Sequence, residues 1–243
     1  MAYRHITRHP IPLKDPIMRK IVPCLAALTL LSGCNGMPSN FVSDPVYDQA
    51  FVVTSGAPLP MLLMATAIQW NEDYAVTAKH TPFLSGVVHE GVGDVVFFKH
   101  KASQVPLWRQ SATGEAVTAV GFNSFMMPVK GEGHTLPGLV RLEGTKGGVF
   151  YSVHDGPTVK GMSGGPVFAE DGKVVGITIA YISNSDVARL KRPDLAGSSR
   201  LSVFMPYSEI AQEWQRYQYR LARNAKPSQP PEPVRGYIAT ASK

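Results

Sequence analysis

Gly161-Met162-Ser163-Gly164-Gly165-Pro166-Val167-Phe168 sets a small hydroxyl-bearing residue among glycines and follows it with an apolar run. A serine hydroxyl is a poor nucleophile unless its oxygen is exposed and a base can reach it. The neighbouring glycines allow a tight turn and offer backbone N–H groups to an oxyanion. Gly-Ser-Gly turns also arise by chance, so the meaning of this stretch depends on its company along the chain.

Upstream, Tyr74-Ala75-Val76-Thr77-Ala78-Lys79-His80 is an apolar strand ending in a histidine. Asp94-Val95-Val96-Phe97-Phe98-Lys99 is an aspartate opening another apolar strand. The order is therefore His, Asp, Ser. Gly161-x-Ser163-x-Gly165 also satisfies the nucleophile elbow of the α/β-hydrolases, in which the histidine follows the serine. The last histidine here is His154, so that triad cannot be completed.

The three segments together resemble the chymotrypsin/trypsin-like serine peptidases. In that family the histidine ends a V-T-A-A-H type strand, the aspartate opens a hydrophobic strand, and the serine sits in G-x-S-G-G-P. The chain departs from this pattern at Lys79, where a small residue is usual. The resemblance runs from about Val46 to Trp214. It implies an all-β fold of two six-stranded-type antiparallel barrels with a C-terminal helix. It assigns Ser163 as nucleophile, His80 as base, Asp94 as its orienting acid, and the N–H groups of Gly161 and Ser163 as the oxyanion hole. Only 14 positions separate His80 from Asp94. That is short for the family, implies a clipped first barrel, and leaves Glu90 as the alternative acid. His89, His100, His134 and His154 match no motif.

The same resemblance places the substrate pocket at Pro157, Thr158 and Lys160, then at Ile177 to Ala180 with Thr178. Pro157 stands where trypsin-like specificity has an acid, and Thr178 where glutamate-specific bacterial relatives have histidine. Neither preference is supported, which leaves a small or apolar side chain as the default.

The start of the chain points to a compartment. Met18-Arg19-Lys20 is basic, Ile21 to Leu30 is almost wholly apolar, and Leu31-Ser32-Gly33-Cys34 matches the lipobox of bacterial lipoproteins. The apolar run is too short to span a bilayer comfortably and reads as a targeting segment. Residues 1–33 are thus expected as a lipoprotein signal peptide, with Met18 a possible true start, and Cys34 as the lipidated mature N-terminus. An ordinary signal peptide is the alternative. Asn35 is not the aspartate associated with inner-membrane retention, which favours the outer membrane of a bacterial cell envelope.

Residues 34–45 are rich in Gly, Pro, Ser and Asn and read as a tether, 46–224 as the peptidase domain, and 225–243 as a Pro-rich flexible tail. The two cysteines are Cys24 and Cys34, so the mature domain has no thiol for a disulfide and must rely on its core. The net charge of +6 comes largely from the leader. Without its five basic and one acidic residues, 19 Lys and Arg face 17 Asp and Glu, which gives no warrant for nucleic-acid binding.

Short apolar runs broken by Gly, Pro and Asn fit an all-β domain: Phe51–Val53, Met61–Ile68, Ala116–Phe122, Gly148–Val153, Lys173–Ile182 and Leu201–Met205. A terminal helix is expected after Ser208 as cap, with Ile210, Trp214, Tyr217 and Leu221 on one face. No metal-ligand spacing, phosphate loop or paired-carboxylate site occurs, and no cofactor is expected. The expected partners are a polypeptide substrate and a membrane through Cys34. Two non-enzymatic readings remain, a catalytically inactive lipid-anchored barrel that binds peptide or protein, and an envelope scaffold.

Overall fold

The computed structural model describes residues 38–40, 47–142, 148–187, 189, 192–195 and 200–225. The expected signal peptide, Cys34 and the tail beyond Ala225 lie outside them. The structure is mostly β, built as two antiparallel sheets and a C-terminal helix.

The first sheet holds β2 (Ala50–Thr54), β3 (Met64–Asn71), β4 (Tyr74–Thr77), β5 (Val87–Glu90) and β6 (Val96–Lys99), in the order β2-β3-β4-β6-β5. The second has the order β1-β8-β7-β10-β11-β12-β9. Its strands are β1 (Ser39–Asn40), β7 (Ala116–Phe122), β8 (Pro128–His134), β9 (Ser152–His154), β10 (Pro166–Ala169), β11 (Val174–Ser183) and β12 (Arg200–Pro206). The sheets thus have five and seven strands rather than six each. The short step after His80 leaves room for a single short strand, β5, while β1 adds a strand by pairing with Val129 and Lys130 of β8.

Most strands alternate, but β10 is buried along its whole length and β11 over its first six residues. Val, Ile and Phe dominate both, as expected for strands covered on both faces. The largest cluster joins Ile68, Val76 and Phe97 of the first sheet to Phe168, Ile177 and Val203 of the second and to Ile210 of the helix. The sheets therefore share one interior, and the site lies where they meet.

The helix α2 spans Tyr207–Ala225, after a single turn α1 at Asn184–Val187. It begins one residue before Ser208, which is inside the first turn and does not cap it. The Ser208 N–H instead donates to Gln110 Oε1 at 3.2 Å, so the early donor is satisfied from a neighbouring loop. Ile210 and Tyr217 are buried, and Trp214 packs against Tyr74 and Phe97 at ring separations of 5.0 and 5.1 Å. Leu221 remains exposed. Glu213, absent from the expected face, is buried and accepts hydrogen bonds from the Val92 N–H (3.0 Å) and Arg216 (2.5 Å) beside His89. A helix can bury a carboxylate when its oxygens find donors.

Two apolar runs are shorter as strands than as sequence. Met61–Leu63 belongs to the turn before β3, and of Gly148–Val153 only the end joins β9.

His154 at the end of β9 is completely buried, and neither ring nitrogen has a partner. Burial pushes its pKa from 6.5 down to about 4. The unfolded chain therefore binds a proton that the folded chain refuses. This contribution to stability is intact above pH 6.5 and is lost as pH falls towards 4. It amounts to about 3 kcal/mol across that window. Urea midpoints measured at pH 7.5 and 4.5 are expected to fall steeply in the parent and far less in His154→Leu. Equal slopes in the two proteins would contradict this account.

Candidate active site

β4 runs through three buried residues, Ala75 to Thr77, and then releases the chain into a turn, which brings His80 to the surface with half its side chain exposed. The path to Asp94 is a hairpin: β5, the turn Gly91-Val92-Gly93, and β6. Gly91 N–H closes the turn on Val95 O at 2.8 Å, and Lys79 Nζ donates to Gly91 O at 2.6 Å. A side chain on Gly93 would meet the end of Met205 at 2.6 Å and Val149 at 3.1 Å. The unusual Lys79 is thus a staple across the shortened connection.

This turn delivers Asp94 to His80 twice over. Asp94 Oδ2 lies 2.6 Å from His80 Nδ1, and Oδ1 accepts the His80 backbone N–H at 2.9 Å. The hydrogen bond to Asp94 raises the imidazole pKa above its ordinary 6.5; burial opposes the rise and the aspartate charge adds to it. Glu90 sits exposed on β5 opposite Val96 and makes no hydrogen bond to His80. Sequence reasoning missed Tyr151, whose buried hydroxyl accepts the Asp94 N–H at 3.2 Å. No local motif marks a tyrosine 57 residues downstream as a support for this aspartate.

The serine turn is held from below. Met162 is fully buried in the second sheet's core with Val117, Val129 and Phe204, while Ser163 beside it is half-buried. Thr66 of β3 donates its backbone N–H to Ser163 O (2.9 Å) and its hydroxyl to Gly161 O (2.8 Å), and that hydroxyl accepts Phe122 N–H (3.0 Å). Thr66 O in turn accepts the Thr77 hydroxyl at 2.7 Å. Thr77 lies three residues before His80, so one residue links the serine turn to the histidine strand.

Two glycines are obligatory here. Gly161 has φ 98°, and a Cβ would lie 2.4 Å from Phe122 O. Gly164 has φ 80°, and a Cβ would lie 2.0 Å from Thr77 Oγ1. Among the described residues, the N–H groups of Gly161 and Ser163 donate to no protein acceptor, whereas those of Met162, Gly164 and Gly165 do. The two unoccupied donors flank the serine hydroxyl's own residue. No hydrogen bond joins Ser163 Oγ to His80; such contacts often tighten only when substrate is bound.

The four residues expected in the substrate pocket are not brought together. Thr158 and Thr178 are buried, Pro157 is half-buried, and Lys160 is exposed. Ser202 Oγ donates to Gly156 O at 2.6 Å, so the Thr158 hydroxyl donates to Ser202 Oγ at 2.9 Å. This contact closes the segment before the serine onto β12. Arg200 donates to Thr158 O and lies over the Tyr181 ring at 4.1 Å. Lys160 instead lines an open cavity of about 540 Å³ with Val159, Tyr181 and Arg200.

These features define a chymotrypsin-like two-sheet protein with a His–Asp pair facing a glycine-bound serine. The chain belongs to the trypsin-like peptidase domain family, whose model matches residues 43–177. Among solved structures it is similar to the inactive form of the Rv3671c protease of M. tuberculosis, at 16% identity and TM-score 0.52, covering 86% of this chain and 99% of that one. It is also similar to the HtrA-type protease AlgW with a tripeptide, at 16% identity and TM-score 0.57, covering 70% and 60%. A serine endoprotease from Yersinia pestis matches at 13% identity and TM-score 0.52, covering 73% and 67%. At these identities the likeness is one of fold. Comparison with curated protein sequences gives no match.

Two substitutions test the geometry. In Asp94→Asn the imidazole loses its charged partner, so the acid limb of the kcat/KM profile, set above 6.5 by Asp94, moves to lower pH. The plateau is expected to drop ~10⁴-fold. An unmoved limb would separate Asp94 from His80. Thr66→Val leaves Phe122 N–H and Gly161 O unpaired and is expected to cost about 1–3 kcal/mol by denaturant titration. Activity should fall with it, whereas an unchanged midpoint would remove Thr66 from its linking role.

Proposed function

We propose that the protein is a serine endopeptidase, held at a bacterial envelope membrane by a lipid on Cys34. In this reading Ser163 Oγ attacks the carbonyl carbon of a peptide bond while His80 Nε2 takes its proton. The N–H groups of Gly161 and Ser163 receive the oxyanion, each worth about 3 kcal/mol in comparable sites. His80 then protonates the departing amine, the C–N bond breaks, and an acyl-enzyme remains on Ser163. Water, deprotonated by His80, attacks the ester, and the proton returns to Ser163 Oγ as the acid leaves. Asp94 holds the tautomer in which Nδ1 carries hydrogen and Nε2 is free to accept.

The observation that carries this reading is the doubly bonded His80–Asp94 pair set against a serine turn with two unoccupied donors. A binding barrel or scaffold has no use for that combination, which disfavours the inactive alternative. The Thr158–Ser202 contact supports a small or apolar residue on the acyl side of the scissile bond, since it fills the space a long side chain would enter. Lipid attachment is supported by the lipobox alone. No helix among the described residues is long and apolar enough to cross a membrane.

A peptide-library cleavage profile, with Ser163→Ala as control, is expected to show cuts after small or apolar residues that vanish in the variant. Cuts that persist in Ser163→Ala, or none from folded parent protein, would sink the proposal. Cys34→Ser is expected to release the protein from the membrane fraction, and unchanged retention would remove the anchor.

A further inference from the structure

The most exposed apolar residues of the domain are gathered in two turns. Leu59, Met61, Leu62 and Leu63 lie between β2 and β3, and Phe125, Met126 and Met127 between β7 and β8. Met61 and Leu62 are 71% and 67% exposed, and Phe125 is 82% exposed. The roots of the turns meet at Thr66, whose hydroxyl accepts the Phe122 N–H and donates to Gly161 O. Both turns therefore rise from the end of the molecule that carries Ser163.

Neither turn is left to fold its apolar residues inward. Ser55 Oγ donates to Leu59 O at 2.5 Å and accepts Leu63 N–H at 3.0 Å, and Ser55 O accepts Met61 N–H at 2.8 Å. Asn123 Oδ1 accepts the N–H groups of Phe125 and Met127 at 2.9 and 3.1 Å. Met61 and Met126 hold φ 59° and 60°, a left-handed backbone that residues with side chains adopt rarely and at a cost. Polar side chains hold each backbone in place while the apolar side chains point out.

Pro38, the first described residue, lines the same 540 Å³ cavity as Phe125 and Met127, with Lys160 and Arg200 also on its walls. Cys34 lies four residues earlier, and four extended residues span at most about 14 Å. A lipid on Cys34 would thus keep this end of the domain at the bilayer. We propose that the two apolar turns insert into the headgroup and acyl boundary of that bilayer, so that the Ser163 site faces peptide segments lying at the membrane surface. Apolar tips with nearby cationic side chains suit an interface carrying anionic lipid. The inference rests on the lipid anchor proposed above.

The test uses full-chain protein in vesicles of phosphatidylethanolamine and phosphatidylglycerol. With Cys24 removed and Cys34 consumed by lipid, a new cysteine is a unique thiol for an environment-sensitive fluorophore. Phe125→Cys and Met61→Cys report the two turns, and Tyr219→Cys, 71% exposed on α2, is the control. A blue shift and several-fold quenching by brominated lipid are expected at 125 and 61 and not at 219. Unquenched turns in protein that still floats with vesicles overturn the proposal and leave the anchor standing, and so does equal quenching at all three sites. A blue shift that grows with protein concentration without vesicles assigns the turns to a second copy and also overturns it. Flotation of Cys34→Ser overturns the anchor itself, read independently of the fluorophore.

Discussion

The position of the serine turn relative to the histidine depends on Thr66. Its N–H, carbonyl and hydroxyl are all used, and each bond reaches a different segment: Ser163, Thr77, and the Gly161–Phe122 pair. Thr66 is fully buried, so each of these groups would carry a desolvation penalty if left unpaired. That penalty fixes the distance between two sheets whose catalytic side chains come from opposite sides of the interface. Gly164 shows how close the approach is, because any side chain there would overlap Thr77 and the Thr66 carbonyl.

A second constraint operates within the first sheet. The His80–Asp94 connection is short, and the chain crosses it with a four-residue strand and a turn wedged under Met205 and Val149. Lys79 and Glu213 supply polar contacts to that turn from outside it, through Gly91 O and Val92 N–H. Helix α2 therefore reaches the site indirectly: its buried carboxylate holds the turn that presents the aspartate. The five-stranded sheet is the structural consequence of this economy, and the acid still meets both donors of His80.

Much of this was legible in the sequence because it is written in local chemistry. Gly161 and Gly164 stand where the backbone leaves the region open to other residues, and the strands ending at His80 and opening at Asp94 are continuous apolar runs. The order His, Asp, Ser excluded a rival fold without any structure. What was not legible depends on contacts between distant residues. Thr66, Tyr151 and Glu213 lie in ordinary strand or helix segments, and their roles arise only once the sheets pack. The start of α2 was misplaced because its first donor is satisfied by Gln110, nearly 100 residues away, rather than by a local cap. Thr158 and Ser202 likewise close on each other through tertiary packing, so the shape of the substrate pocket could not be read from spacing.

The central claim is that Ser163 is a nucleophile made reactive by His80. Treatment with a fluorophosphonate followed by peptide mapping tests it most directly. The account predicts a single covalent adduct on Ser163 that is lost in Ser163→Ala and in His80→Ala. Folded parent protein that acquires no adduct, or His80→Ala labelled at the parent rate, would contradict it.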